Sequence, residues 1–370
     1  MSDLRFGFTT GSCSAAAAKA AAYMLLTGKI IEKISIETPK GIMFDADILD
    51  IKRSENIVSC CVIKDGGDDP DITTGSHIYA SVSYSDTEGI CIDGGTGVGR
   101  VTKPGLDQPV GNAAINSVPR TMIQKEVKEV MELCDYKGGI GVIISIPEGE
   151  GLASKTFNPR LGIVGGISVL GTTGIVEPMS SEALLKTIDV ELNQKEALHW
   201  EYVPVSPGNY GLEYMKRTYG FDLDVSVKCS NFIGDTINMA KEHGFKGMLL
   251  TGHIGKLVKV AGGMLNTHSK YGDCRMEQLS ECAVLLGADA ETVHRILDSV
   301  ATEDAVDILI EKGLKDSVMA EIMNRIMRNL KMQASDEIKI ECMMYSNKHG
   351  MLAQSSGAEP MLEIIKKKYR

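Results

Sequence analysis

The chain lacks the cysteine and histidine patterns that hold metals. Its 370 residues include nine cysteines but no CxxC pair, and seven histidines but no HExxH motif. The odd number and the spacing of the cysteines are typical of reduced, mostly buried thiols rather than of a disulfide framework. The sequence therefore predicts no metal bound by the protein itself.

The sequence also lacks long hydrophobic runs and an excess of positive charge. No run of about 18 apolar residues is present, and the first eleven residues lack the charged-then-apolar order of a signal peptide. Acidic residues outnumber basic ones by 49 to 39, which gives a net charge of −10. This balance disfavours nucleic acids and anionic membranes as partners. We expect a cytoplasmic protein, and the sequence leaves open whether it forms a homo-oligomer.

The length of the chain and its changing pattern predict two domains. Residues 34–92 alternate β-branched segments with Gly, Asp and Pro turns, which predicts antiparallel strands. The second half alternates strands with helices, including an amphipathic packing helix over Glu291–Ile310, and the last two strands alternate like the first part. We therefore expect an α+β domain with an antiparallel sheet over 1–155, rejoined by 335–370. An inserted Rossmann-like α/β domain with a mostly parallel sheet would occupy 156–334.

Residues 160–181 combine an apolar strand, the turn Gly171-Thr172-Thr173-Gly174 and a helix start. Glycines let the backbone approach a ligand, and free N–H groups in the first turn of a helix favour a negative group. An ordinary strand-to-helix connection needs the same glycines, so that alternative stays open. Three similar units follow, with turns at Ser206–Asn209, Ser230–Asp235 and His253–Lys256. We expect the four turns to line one edge of the sheet.

Two polar stretches of the first half each allow two interpretations. The hydroxyls of Thr9–Ser12 either cap the alanine-rich helix that follows, which we expect to end at Gly28, or face a ligand. The stretch Asp65–Asp71 holds four carboxylates in seven residues. These carboxylates are either solvated turn residues or a cluster that binds a cation or acts as a base.

The stretch Asp93–Gly105 is rich enough in glycine to be mobile or to lie against a ligand. It contains no GxGxxG, and a β-meander precedes it, so it is not a dinucleotide fingerprint. Its basic residues Arg100 and Lys103, together with Arg120, form a candidate clamp for anions.

The turns of the expected parallel sheet favour a ligand without phosphate groups. They carry hydroxyls and amides but no lysine of a phosphate loop, which argues against a nucleoside triphosphate. The second strand of that sheet ends in Val205-Ser206-Pro207 rather than in the acidic residue of a dinucleotide site. S-adenosylmethionine fits such turns better.

Several longer stretches together carry a family resemblance. They are LRFGFTTGSCSAAAAKAA, KDGGDDPDIT, GTGVGRVTKPGL with AINSVPRTMI, KTFNPRLGIVGGISVLGTTGIVEPMS, SPGNYG, CSNFIGD and TGHIGKLVKVAGGMLNTHSK. The sequence closely resembles the CbiD family, the cobalt-precorrin-5B C1-methyltransferases of anaerobic cobalamin biosynthesis. It departs from the family pattern at Phe6 and Ser12, where threonine is usual, at Thr96, where an acidic residue is common, and at Cys274, where alanine is common.

The resemblance implies methyl transfer from S-adenosylmethionine to carbon 1 of cobalt-precorrin-5B, which gives cobalt-precorrin-6A. The cobalt would arrive with the corrinoid substrate. The resemblance also implies one α+β domain and one Rossmann-like domain. Two rival functions stay open, an NAD(P)-dependent corrinoid reductase and a non-catalytic tetrapyrrole carrier.

Chemistry then assigns roles to individual residues. We expect the cofactor to be bound by Gly165, Gly166, Gly171, Thr172, Thr173, Gly174, Ser230 and Asn231. Acetate and propionate groups of the substrate would be bound by Arg100, Lys103, Arg120, Lys256 and His268. His253 is the first candidate for a base and Asp235 the second.

Overall fold

The computed structural model describes residues 4–369 and divides into two compact units, with the division after Ser180. Both units mix helices with sheets, and both antiparallel and parallel strand pairs occur. Among residues 4–369, no helix combines the length and the apolar character needed to cross a membrane.

The first unit contains thirteen short strands and four helices in the described chain. The strands are β1 (Gly7–Phe8), β2 (Lys33–Glu37), β3 (Met43–Asp47), β4 (Leu49–Arg53), β5 (Ile57–Ile63), β6 (His77–Ser85), β7 (Ile90–Gly94), β8 (Gly97–Val98), β9 (Arg100–Val101), β10 (Gly139–Ser145), β11 (Ile163–Val164), β12 (Gly166–Ile167) and β13 (Ile175–Val176). The helices are α1 (Thr10–Thr27), α2 (Ser117–Leu133), α3 (Gly149–Ala153) and α4 (Asn158–Leu161).

A five-stranded sheet in the order β4-β5-β6-β10-β7 forms the centre of the first unit. It is antiparallel except for the pair β10 and β7, as the alternating pattern of this region predicts. Helix α1 packs on this sheet and on α2, because its seven buried alanines give it a narrow, flat surface. The Thr9 side chain accepts from the Ser12 N–H to cap α1, and Gly28 ends it with a φ of 76°. The predicted helix is confirmed.

The second unit contains five strands and nine α-helices in the described chain. The strands are β14 (Tyr202–Ser206), β15 (Val227–Lys228), β16 (Gly247–His253), β17 (Lys339–Ser346) and β18 (Gly350–Gln354). The helices are α5 (Ser181–Ala197), α6 (Leu212–Tyr219), α7 (Ile233–Glu242), α8 (Ile254–Ala261), α9 (Arg275–Leu285), α10 (Ala290–Leu297), α11 (Thr302–Glu311), α12 (Lys315–Ala334) and α13 (Ala358–Tyr369).

These strands form one sheet in the order β15-β14-β16-β17-β18. The first four strands are parallel, and β18 is antiparallel to β17. The first strand of this unit, β14, lies between the second, β15, and the third, β16. The chain therefore winds in one direction from β14 to β15 and in the opposite direction from β16 onward, and the reversal lies between β14 and β16. Strands β16 and β17 are buried along nearly their whole length, as expected for a sheet covered on both faces.

The C-terminal strands do not rejoin the first unit. Strand β17 pairs with β16 at seven positions, from Gly247 with Lys339 to His253 with Tyr345, so it lies inside the parallel sheet. The expected insertion is therefore corrected: within the described chain, residues 335–369 complete the α/β unit. The alternating pattern of the last strands arises from the antiparallel edge pair of β17 and β18 rather than from a return to the first sheet.

Residues 160–181 also differ from the expected strand, turn and helix of the parallel sheet. Glycines interrupt the apolar run, with φ values of 78° at Gly162 and 82° at Gly165. Only two-residue strands remain, and they pair in the first unit: β11 with β9, β12 with β8 and β13 with β1. The three later strand-to-turn-to-helix units all lie in the second unit, as predicted.

Candidate functional site

A pocket of about 190 Å³ opens at the carboxyl ends of the parallel strands in the second unit. It is lined by Pro207, Gly208, Tyr210, Gly252, His253, Gly255, Lys256 and Tyr345. The turns after β14 and β16 supply most of this lining, and these strands flank the point where the winding reverses. Ligands of open α/β sheets bind at this position, because the chain leaves the two strands in opposite directions and opens a crevice.

Tyr345 forms the floor of the pocket and is 1% exposed. Its hydroxyl donates to the carbonyl of Tyr210, which lies in the turn after β14. Gly211 has a φ of 84°, and a Cβ there would lie 2.1 Å from the Tyr345 ring. The glycine is thus required both by its backbone conformation and by the ring beside it.

His253 ends β16 and caps α8 with its side chain. Its Nδ1 accepts from the Gly255 N–H at 3.1 Å, and its Nε2 lies 3.2 Å from Oε1 of Glu303. An accepting Nδ1 leaves the proton of the neutral ring on Nε2, which then donates to the carboxylate. Both nitrogens are engaged, so the role of His253 as a base stays a prediction that requires one of these bonds to break.

Glu303 lies in the first turn of α11 and fixes the His253 ring. Its Oε1 also accepts from the Ser346 hydroxyl at 2.7 Å. Burial acts to raise the pKa of Glu303, but the hydrogen bonds from Ser346 and His253 outweigh it and lower the pKa overall. The ionised carboxylate of Glu303 therefore fixes the orientation of the His253 ring through the hydrogen bond to Nε2. Sequence reasoning missed Glu303, because the expected helix over Glu291–Ile310 gave it only a packing role.

Lys256 lies in the first turn of α8 and reaches across the carboxyl ends of the strands. Its Nζ donates to the carbonyl of Ser230 at 3.1 Å and to that of Pro207 at 3.4 Å. Burial lowers its pKa. Within residues 4–369 no carboxylate forms an ion pair with it, so this half-buried ammonium is held by neutral groups. The structure places the predicted residue in the pocket wall; its ligand stays a prediction.

The other predicted residues of the second unit are not among those that line the pocket, and three of them belong to the Ser230–Asp235 turn. Ser230 has a φ of 51°, a rare conformation for a residue other than glycine, and offers its carbonyl to Lys256. Asn231 is bound by Thr267, whose hydroxyl donates to Asn231 Oδ1 at 3.2 Å. Asp235 is exposed in the first turn of α7, and His268 is exposed with its Nδ1 accepting from the Lys270 N–H.

In the first unit, the Gly171–Gly174 turn packs against Thr9–Ser12. A Cβ at Gly171 would lie 2.3 Å from the Thr9 hydroxyl, and one at Gly174 would lie 2.8 Å from the Ser12 hydroxyl. Ser12 Oγ donates to the Gly174 carbonyl at 2.7 Å. Both glycines are therefore required by the protein's own packing, which favours the ordinary connection that the sequence left open.

The remaining cofactor candidates share this region. Thr172 is exposed, and the Thr173 hydroxyl donates to the Ile175 carbonyl at 3.2 Å. A Cβ at Gly166 would lie 2.1 Å from the carbonyl oxygen of Gly97, whereas Gly165 faces open space. Their roles toward a cofactor stay predictions.

The candidate clamp contains cations in three different environments. Arg100 forms a two-pronged ion pair with Asp93 at 2.7 and 3.0 Å. Arg120 donates to the carbonyls of Ile115 and Ile92 at 2.8 and 2.9 Å, and burial lowers its pKa. Lys103 is exposed and donates to the Arg160 carbonyl at 3.2 Å. The hydrogen bond from Arg100 lowers the pKa of Asp93, and the positive charges of Arg100 and Arg120 act in the same direction. That these cations face the substrate stays a prediction.

Protein groups engage all four carboxylates of the acidic turn. Asp65 and Asp68 accept from the side chain and the N–H of Arg5, Asp69 accepts from the Met179 N–H, and Asp71 pairs with the buried Lys64 at 2.6 Å. No group of three or more His, Cys, Asp or Glu side chains within residues 4–369 is arranged to hold a metal. The turn therefore anchors neighbouring segments of the first unit.

Two family models and several named relatives match this chain. The CbiD family model matches residues 1–178, and that of the CbiD C-terminal domain matches residues 266–356. A protein of Ruminiclostridium cellulolyticum named cobalt-precorrin-5B C(1)-methyltransferase is 48% identical over 98% of this chain and 95% of its own. A protein of the same name from Thermoanaerobacter sp. strain X514 is 47% identical over 95% of each chain.

A crystal structure of the cobalamin biosynthesis protein (cbiD) of Archaeoglobus fulgidus is 27% identical to this chain. It covers 74% of this chain and 84% of its own, with a TM-score of 0.39. The family assignment depends instead on the two family models and on the nearly full-length relatives. The chain therefore belongs to the CbiD family.

Proposed function

We propose that this chain transfers a methyl group from S-adenosylmethionine to carbon 1 of cobalt-precorrin-5B, which gives cobalt-precorrin-6A in cobalamin biosynthesis. Relatives that match it over nearly their whole length carry the name of this reaction. The structural observation that supports it is the pocket at the carboxyl ends of β14 and β16. The cobalt arrives with the substrate and needs no site on the protein.

The residues of the pocket fit S-adenosylmethionine. This cofactor has a carboxylate, an ammonium, a sulfonium and a flat adenine, but no phosphate. Lys256 offers an ammonium without a carboxylate partner, and the rings of Tyr210 and Tyr345 offer faces for the adenine or the sulfonium. Gly208 leaves the backbone open, since no atom lies within 4 Å of where its Cβ would be.

When bound, S-adenosylmethionine supplies a methyl group on a sulfonium, whose thioether is a good leaving group. The chain's task is then mainly to position the two reactants. The Glu303 carboxylate holds His253, and the hydroxyl of Tyr345 holds the Tyr210 carbonyl, so the walls of the pocket are fixed by hydrogen bonds.

We also propose that the first-unit cations Arg100, Lys103 and Arg120 bind substrate carboxylates. Arg and Lys suit the acetate and propionate groups of a corrinoid. Arg100 pairs with Asp93, whereas Lys103 and Arg120 donate to backbone carbonyls, so an anion at these two would add an interaction rather than replace an ion pair. A proton acceptor is needed only if a proton leaves the substrate, and His253 and Asp235 stay the candidates.

Two measurements test the proposal. Calorimetric titration is expected to show binding of S-adenosylhomocysteine and none of NADPH. Incubation with cobalt-precorrin-5B and methyl-labelled S-adenosylmethionine is then expected to move the label into the corrinoid. Binding of NADPH with no binding of S-adenosylhomocysteine would indicate the reductase instead. Corrinoid binding without transfer of label would indicate the carrier.

A further inference from the structure

The pocket contains a half-buried positive charge, that of Lys256, which no carboxylate of residues 4–369 pairs with. Lys256 Nζ has three N–H donors, and two of them go to the carbonyls of Pro207 and Ser230. The nearby Cys229 is a fully buried thiol whose pKa burial raises to about 12, so it is neutral at physiological pH. The charged neighbour of Lys256 is another cation, Lys259, which repels it.

Such an arrangement is costly for the folded chain alone. Burying an ammonium without a counter-ion is unfavourable, and carbonyl dipoles offset only part of the lost hydration. A bound anion at the third donor would offset more of it. Since Lys256 also lines the cavity, the anion is expected inside the pocket.

A second charge, which contacts the lining residue His253, indicates what kind of anion this is. The ionised Glu303 lies directly behind His253, with 3.2 Å between Oε1 and Nε2. The lining of the pocket therefore includes the cation of Lys256 and an imidazole, that of His253, which is hydrogen-bonded to a carboxylate. This pattern is complementary to a zwitterion, which carries a negative and a positive group a few bonds apart. An acetate or propionate of a corrinoid carries no such positive group.

We infer that Lys256 binds the carboxylate at the amino-acid end of the methyl donor, and not a carboxylate of the corrinoid. This inference rests on the proposed function and assigns Lys256 to the cofactor instead of the substrate. The donor's ammonium and sulfonium then lie toward His253, whose ring is hydrogen-bonded to Glu303.

The test compares two ligands that differ in the amino-acid end. S-adenosylhomocysteine has the carboxylate, and 5′-methylthioadenosine lacks it. In calorimetric titrations, Lys256→Met is expected to weaken S-adenosylhomocysteine about 10- to 100-fold, as for the loss of a charge-assisted hydrogen bond, and to leave 5′-methylthioadenosine nearly unchanged. Lys216→Met, at an exposed position of α6, is the matched control and is expected to change neither affinity.

Retained binding of 5′-methylthioadenosine also shows that the variant is folded. Equal weakening of both ligands, or of neither, would overturn the inference, because Lys256 would then shape the pocket without binding a carboxylate. A rise in the KM of the corrinoid with unchanged S-adenosylhomocysteine affinity would overturn it in favour of a substrate carboxylate. If the wild-type chain binds neither nucleoside, the proposed function itself fails, and the inference with it.

Discussion

Replacing His253 separates its two roles, the cap of α8 and the candidate base. His253→Ala removes both the Nδ1 acceptor for the Gly255 N–H and the Nε2 donor to Glu303. His253→Asn restores an oxygen acceptor, because asparagine is among the best capping residues, but it cannot act as a base near neutral pH. The two variants should therefore differ if the cap matters and agree if only the base matters.

The structure sets the size of the effect on stability. Loss of a helix cap costs about 1 kcal/mol. Loss of a hydrogen bond to a carboxylate costs about 1.5 to 3 kcal/mol, and the lower end applies because Glu303 keeps the Ser346 hydroxyl and its side chain is 24% exposed. We expect His253→Ala to destabilise the second unit by about 2 to 3 kcal/mol, which corresponds to a fall in Tm of roughly 4 to 12 °C. His253→Asn should lose about half of that.

Thermal unfolding and steady-state kinetics on the same preparations check this. A lost general base typically lowers kcat by about 10²- to 10⁴-fold. Because both nitrogens of His253 are already hydrogen-bonded, we expect kcat of the folded His253→Asn variant to fall by less than that range. If that variant keeps its stability while its kcat falls by about 10²-fold or more, the capping role is insufficient and the ring acts as the base.

Two further predictions concern stability. Gly211→Ala should destabilise the second unit by about 2 to 4 kcal/mol, because the backbone there is left-handed and the new Cβ would clash with the Tyr345 ring. The control Gly208→Ala has open space around the new Cβ and should change the free energy of unfolding by less than about 0.5 kcal/mol. Denaturant midpoints of the two variants check this. Burial alone would lower the pKa of His243, but hydrogen bonds with Glu196 and Asp189 raise it overall. Its stabilising contribution is therefore complete below the unfolded pKa of about 6.5 and lost as pH rises through the higher folded value, so wild type should lose more stability than His243→Gln over that window.

The sequence predicted the carboxyl edge of the second sheet because the signals there are local. Buried apolar strands end in glycine-bearing polar turns at Ser206–Asn209 and His253–Lys256, and both turns line the pocket. The position of β17 could not be predicted in the same way. Its alternation indicates a strand, but its partner β16 lies far away in the chain, and a periodic pattern does not specify which sheet a strand joins.

Glu303 illustrates a second limit. The residues around it are amphipathic with a helical period, so one helix over Glu291–Ile310 was expected. The structure has two helices there, α10 and α11, joined by a short connection. This interruption of the helix places Glu303 in the first turn of α11, 50 residues along the chain from the imidazole of His253 that it holds. A contact of this kind depends on how α11 packs beside the sheet edge, and no spacing within the sequence reports it.

The partners of each cation decide which ones can bind an anionic ligand in a chain whose net charge is −10. Arg100 already has the Asp93 carboxylate, so a ligand carboxylate there would replace one ion pair with another and gain little. Arg120 and Lys256 donate instead to backbone carbonyls, which engage only part of their donors, and within residues 4–369 neither forms an ion pair. A carboxylate bound at either of these two would be added to the existing hydrogen bonds. In this acidic protein, an arginine or lysine is therefore available to an anionic ligand where its side chain is partly buried and hydrogen-bonded to neutral groups. The number of basic residues in a stretch does not decide this.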